Sequence, residues 1–177
     1  MEEGIGSAER NAFKQAYVDH KDRLLTLATA LTSDVGSGED IVHDVFAALI
    51  KETTRLNHGS NIGAYLSVCV RNRAIDLLRR KKLREDRADD VRARRVETPV
   101  DDPFKLVVRD EEAQMLLNGV RQLPILLREV LSLRIWADLS FQEIAGLQQT
   151  TKSTAHVRYG QALEKLRLML SGEKKDV

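Results

Sequence analysis

Between Asn61 and Arg84 an apolar helical repeat runs directly into a dense cluster of cations. Ile62, Leu66, Cys69, Val70 and Leu77 recur at steps of three and four, the spacing of a single helix face. That register buries one side of the segment and turns Arg71, Asn72, Arg73 and Asp76 to solvent. Arg79, Arg80, Lys81, Lys82 and Arg84 follow at once. From Arg71 to Arg84 seven positive side chains stand against one negative, Asp76, although the formal charge of the whole 177-residue chain is only +1. The positive charge is therefore local, and a local cationic stripe on a rigid helix attracts a phosphate backbone.

The rest of the composition points to an all-α protein. Only 10 Gly and 3 Pro interrupt the chain, too few for a fold rich in turns, while 42% hydrophobic and 31% charged residues suit a soluble globular protein. The longest apolar run, Val45 to Ile50, is far short of the roughly 20 residues a membrane helix needs. The acidic start, Met1 to Gly6, lacks the layout of a signal peptide, so a cytoplasmic protein is expected. Cys69 has no second cysteine to pair with and no cluster of histidines for a metal, and reads as a small apolar residue.

Ser7 can cap a first helix whose apolar positions are Phe13, Tyr17, Leu24, Leu25, Leu27, Ala28 and Leu31, ending where Thr32 to Gly38 breaks the pattern. A second helix is expected to open at Ser37, with Glu39 and Asp40 in its first turn. Ile41, Val42, Val45, Phe46, Leu49 and Ile50 form its buried side, leaving Asp40, His43, Asp44 and Ala47 as a polar row opposite. By periodicity alone that row is an ordinary solvated face. Residues 52–60 read as a loop of hydrogen-bonding side chains, after which Asn61 caps the cationic helix.

From Lys81 to Arg95, 11 of 15 residues are charged with both signs mixed, and Pro99 and Pro103 follow. Residues 85–102 are therefore expected to be a linker between residues 1–84 and 103–177, with helix only in its first turns. Asp102 and Pro103 can start a further helix carrying Val107, Val108, Met115, Leu116, Val120 and Leu123. Pro124 divides it from a segment with Leu127, Val130, Leu131 and Leu133 buried and Trp136 near the end.

Ser140 and Glu143 then form a capping box for a short helix that stops near Leu147. A last helix follows the turn, with Ala155, Tyr159, Ala162, Leu163, Leu166, Met169 and Leu170 on one stripe. A short helix, a short turn and a long helix with polar first turns make a helix-turn-helix layout. Its second helix would offer Lys152, Ser153, Thr154, His156, Val157, Arg158 and Gln161 to a major groove. A hairpin that only packs would show the same spacing.

No catalytic constellation is present in the sequence. His20, His43, His58 and His156 fall in separate segments, and neither a glycine-rich phosphate loop nor metal-ligand spacing occurs. His43 and Asp44 are adjacent on a helix and diverge by about 100°, so they do not face one another. Neither enzymatic activity nor a cofactor is expected.

These segments resemble bacterial sigma factors of the extracytoplasmic-function (ECF) group of the sigma-70 family. Gly38-Glu39-Asp40-Ile41-Val42-His43-Asp44-Val45-Phe46 looks like the family's segment for docking on core RNA polymerase. Asn61 to Leu66, continuing through Arg71 to Arg80, looks like its helix for melting and reading the minus-ten element. Leu123-Pro124, Arg128 to Leu131 and Leu139 to Ala145 look like its second domain, which reads the minus-thirty-five element.

The resemblance implies two small helical domains, sigma regions 2 and 4, joined by the charged linker. It implies that Asp40, His43, Asp44 and Ala47 meet polymerase. Asn57, His58 and Asn61 would lie near an unstacked base of the melted non-template strand, and Arg71, Asn72, Arg73, Arg79 and Arg80 would hold the adjoining backbone. Promoter DNA and core polymerase would be the partners, with an anti-sigma factor as a further candidate. An extended 18-residue linker reaches at most about 60 Å. Promoter elements two turns apart are separated by about 70 Å, which is within reach once each domain adds its width.

Two other readings remain open from the sequence: a stand-alone helix-turn-helix regulator, and a sigma-like decoy that binds only an anti-sigma protein. The second draws on a departure at the turn, where the family usually has Gly followed by an apolar residue and this chain has Gln149 and Thr150. A left-handed non-glycine residue there costs about 1–2 kcal/mol, so the turn is expected to be rebuilt or to weaken the domain. Ala155 also stands where a larger apolar residue is usual, and the last helix is less basic than is common.

Overall fold

The computed structural model describes residues 7–51, 61–88 and 111–172, and every element among them is an α-helix. The order is α1 (Ser7–Thr32), α2 (Val35–Lys51), α3 (Ile62–Ala88), α4 (Glu111–Gln122), α5 (Ile125–Trp136), α6 (Phe141–Leu147) and α7 (Lys152–Gly172). Asn57, His58, Val107, Val108 and the Asp102-Pro103 start fall outside the described residues. The expected helical beginning of the linker is present, since α3 continues to Ala88.

The ends of the helices follow from local chemistry. α2 opens at Val35, two residues before Ser37, because Asp34 is its cap: the Ser37 N–H donates to Asp34 Oδ2 at 2.8 Å. The Ser37 hydrogen bonds hold the Asp34 carboxyl below its ordinary pKa. Asn61 caps α3 as expected, accepting from the Ala64 N–H at 3.1 Å. Ser140 and Glu143 form the full capping box of α6, and Thr151 accepts from the Thr154 N–H at 3.1 Å to start α7.

The turn between α6 and α7 is not rebuilt. Gln149 takes the left-handed conformation itself, with φ 51. The Gln149 N–H donates to the Gly146 carbonyl at 3.2 Å and the Thr150 N–H to the Ala145 carbonyl at 2.9 Å, which together make a Schellman closure without glycine. The turn is left-handed at a residue with a side chain and bears the steric cost of that side chain.

α1, α2 and α3 pack as one bundle around Leu24, Leu27, Leu31, Val45, Phe46, Leu66 and Val70. The crossing of α1 and α2 is tight enough to require Gly38, since a Cβ there would lie 2.7 Å from Thr29 Oγ1. α4 to α7 gather around Val120, Leu123, Leu127, Leu131, Ala162 and Leu166. Several positions expected on the buried stripes lie instead at their rims. Ile50, Leu77, Met115, Leu116 and Leu163 are exposed, while Ala74 and Leu117 take the inward places. In each case the exposed residue sits a fraction of a turn from the centre of its helix's apolar face, where a pattern of threes and fours does not separate inside from edge.

A larger departure concerns the two halves together. They are not separate modules on a strap in this state, because α5 and α6 contribute Val130, Leu133, Ile144 and Ala145 to the same core cluster as α1–α3. α1 packs on α5 as well as on its own bundle, and its Ala30 enters the second core. Arg128 on α5 pins the junction: its guanidinium donates to the Leu31 carbonyl at 3.2 Å, to Ser33 Oγ at 2.8 Å, and to the carbonyls of Arg121 and Leu123. Burial, with the Arg121 charge adding to it, lowers the pKa of that guanidinium.

Candidate polymerase and nucleic-acid interfaces

The polar row of α2 lies in the open. Asp40, His43 and Asp44 are exposed and Ala47 is half-buried, as their spacing predicts. Beside them runs a groove of about 690 Å³ lined by Phe13, Tyr17, Leu25, Val42, Phe46 and Ile50, with His43 and Ala47 also in its wall. Its aromatic rings support one another, Tyr17 against Phe46 at 4.9 Å and Phe13 against Phe46 at 5.9 Å. Helical periodicity reads these residues as interior, which holds for Val42 and Phe46, whereas Tyr17 and Ile50 are exposed, and the cluster of three aromatic rings is the signal that could have marked the groove. The surface therefore offers carboxylates next to an apolar slot, a combination suited to a partner helix with cations flanking an apolar ridge.

The cationic helix divides into two parts. Arg79 and Arg80 are exposed, and Arg79 has only a long 3.8 Å ion pair to Asp76 on the same surface. Asn72 is exposed and Arg73 half-buried. Arg71 departs from the expected solvent-facing set. Its side chain is 15% exposed and pairs with Glu129 of α5, which is 2% exposed. Its Nη2 also donates to the Leu147 carbonyl at 3.0 Å, and its Nη1 to Asn72 Oδ1 at 3.0 Å. The reason is long-range: a guanidinium next to the buried Val70 lies over the seam where α5 and α6 arrive, and only a buried carboxylate makes its burial tolerable.

Asn61 borders a small hollow of about 70 Å³ shared with His20, Arg23 and Ser67, and Ala137 and Asp138 from the second half form part of its wall. On α7, Lys152, Ser153, His156, Val157 and Gln161 are exposed on the first turns. The His156 ring packs edge-on against Phe141 at 5.0 Å. Thr154 is engaged with Thr151, their hydroxyls 2.9 Å apart. Arg158 donates to Gln148 Oε1 at 2.8 Å, so this residue too is held by the protein. No cluster of three or more potential metal ligands occurs among the described residues.

Residues 16–84 match the Sigma-70 region 2 family and residues 113–166 match Sigma-70, region 4, together more than half of the chain and in that order. The chain belongs to the extracytoplasmic-function group of the sigma-70 family. It is a sigma factor, a subunit that binds core RNA polymerase and directs promoter-specific initiation. Among solved structures, this sigma factor is similar to RpoE from Bartonella quintana in complex with the anti-sigma factor NepR. The TM-score is 0.69 at 22% identity, over 93% of this chain and 98% of that one. No curated protein matches the chain. The region 2 match covers most of the α1–α3 bundle, and the region 4 match covers α6 and the greater part of α7.

Proposed function

We propose that this sigma factor docks on polymerase through Asp40, His43, Asp44 and Ala47 of α2 together with the aromatic groove beside them. Promoter DNA is held through α3 and α7. Asn57, His58 and Asn61 meet an unstacked base of the non-template strand, and Arg71, Asn72, Arg73, Arg79 and Arg80 hold its backbone. Lys152, Ser153, Thr154, His156, Val157, Arg158 and Gln161 read the minus-thirty-five duplex. The working domains are residues 1–84 and 103–177, with 85–102 as the linker between them.

The observation that carries this division is the exposure of the acidic row beside an open apolar groove, on a different helix from the exposed cations of α3. Opposite charges on different elements suit opposite partners. The factor performs no chemistry and acts in the cytoplasm; none of the described helices is long and apolar enough to cross a membrane. The complex of RpoE with NepR supports an anti-sigma protein as a further partner.

The test compares two variants of the full chain with core polymerase. Asp44→Arg should weaken core binding at least tenfold, whereas Arg79→Ala with Arg80→Ala should leave core affinity within twofold and lower open-complex formation at least tenfold, or about 1.4 kcal/mol. Equal losses of core affinity in both variants would contradict the division.

A further inference from the structure

The first turns of α7 carry side chains that are held in different ways. Thr154 is engaged with Thr151 and Arg158 with Gln148, so hydrogen bonds fix both. His156 is exposed, yet its ring centroid lies 5.0 Å from that of Phe141, with the two planes at 73°. Phe141 comes from the other helix of the helix-turn-helix, where it is the first residue of α6.

Phe141 is itself held on several sides. Its backbone follows Ser140, whose capping box with Glu143 sets the start of α6. The Tyr159 ring of α7 packs against it at 5.4 Å and 66°. The Arg134 guanidinium lies over the Phe141 ring at 5.5 Å and is anchored in turn by the Leu139 carbonyl at 3.0 Å and by Asp138 at 3.8 Å. Ala155, next to His156, is fully buried with only a methyl group to contribute, and Phe141 and Tyr159 pack against the core cluster that contains it. The half-buried Phe141 ring is therefore a fixed wall for the exposed ring beside it.

We propose that Phe141 is a positioning residue for minus-thirty-five recognition: it fixes the His156 imidazole so that a ring N–H donates to N7 of a purine in the major groove. The proposal rests on the assignment of His156 to the duplex and names what that residue reads and how it is held. An imidazole always carries at least one N–H donor, and N7 is a major-groove acceptor that no pyrimidine has. A hydrogen bond weakens steeply off its axis, so the direction of the ring decides whether this contact forms. An unrestrained histidine on a helix divides itself among about four states, from two common χ1 wells and two ring orientations. A contact made from only one of them is diluted about fourfold. A neighbouring ring that selects this state before DNA arrives removes the dilution.

The test uses holoenzyme made with the full chain and a promoter whose minus-thirty-five element is randomised one position at a time. Fragments retained in heparin-resistant open complexes are sequenced. Wild type should prefer a purine at one position by about tenfold. His156→Ala should abolish that preference and no other. Phe141→Leu should reduce it about fourfold at the same position and leave the remaining positions unchanged, whereas Phe141→Tyr, which keeps the ring, should retain it. Phe141→Leu with His156→Ala should be no flatter than His156→Ala alone. Base preference is a ratio within one preparation, so unfolded protein lowers the recovery of all four bases alike and leaves the ratio unmoved.

A purine analogue with carbon in place of N7, set at the same position, should cost wild type about tenfold and His156→Ala nothing. If Phe141→Leu keeps the wild-type preference, or lowers the use of every sequence equally, the ring serves packing alone and the proposal is overturned while His156 stands as a reader. If the analogue costs wild type nothing, N7 is not the atom read and the proposal is equally overturned. Failure of the assignment of His156 to the duplex would show separately, as an unchanged preference at every position in His156→Ala, and would take the proposal with it.

Discussion

Arg71 and Arg79 are two turns apart on one helix, carry the same side chain and belong to the same run of cations, yet they occupy opposite situations. Arg79 is 74% exposed with a loose partner on its own surface, while Arg71 is 15% exposed and paired with a carboxylate from the other domain. The difference teaches that a charge run tells where cations are made and not whether they are available. Availability is decided by what the rest of the chain brings over them. Arg128 extends the series inward, since its guanidinium is spent on carbonyls and a hydroxyl at the seam between the two domains.

This ordering of three arginines can be broken by measurement. Arg128→Ala should have the largest effect, a loss of about 2–4 kcal/mol, because several charge-assisted hydrogen bonds disappear and buried carbonyls are left without a donor. The midpoint of denaturant unfolding checks it. A change below 0.5 kcal/mol would mean that water replaces the guanidinium freely and that the seam does not depend on it.

Next in size is the turn of the helix-turn-helix. Gln149→Gly should stabilise the protein by about 1 kcal/mol, since it removes a side chain from a left-handed residue whose Schellman hydrogen bonds are already in place. Thermal unfolding reads this directly. Destabilisation would show that the Gln149 side chain makes a compensating contact.

Asp34→Ala should cost about 1 kcal/mol at neutral pH through loss of the cap on α2. The Ser37 hydrogen bonds place the folded pKa of Asp34 below 3.8. A depressed carboxyl contributes its stability above the unfolded pKa and loses it as pH falls through the folded value. The difference between Asp34→Ala and wild type should therefore narrow below pH 3.8. Glu143, lowered from 4.5 by its Ser140 hydrogen bonds, adds to the acid sensitivity in the same direction.

The smallest stability effect belongs to the outermost cations. Arg79→Ala with Arg80→Ala should shift the unfolding midpoint by no more than about 0.5 kcal/mol, since exposed ion pairs contribute little. A loss above 1 kcal/mol would make Arg79 a structural residue like Arg71 and would remove the contrast between them.

Much of this was legible in the sequence for local reasons. The caps at Asn61 and Ser140, the break at Pro124 and the exposed row on α2 each depend on residues within one or two turns of one another. The start of α2 at Val35 was missed because Asp34 competes with Ser37 for the same role, and only the hydrogen bond to Asp34 Oδ2 decides between them. Tyr17 reads as interior from its spacing and is exposed, because an aromatic ring at a core spacing looks the same whether it fills a core or lines an open groove. The burial of Arg71 was beyond reach for another reason. Its partner lies 58 residues away, and no local spacing encodes which carboxylate a folded chain will bring to it.

The central claim is tested most directly by multiple-round run-off transcription of genomic fragments with core polymerase, beside gel shifts of the same fragments with the free chain. The account predicts discrete transcripts that require both this protein and core, and no shift of the duplex by the wild-type chain alone. Duplex binding by the free chain at full strength, with no specific transcript when core is added, would contradict it.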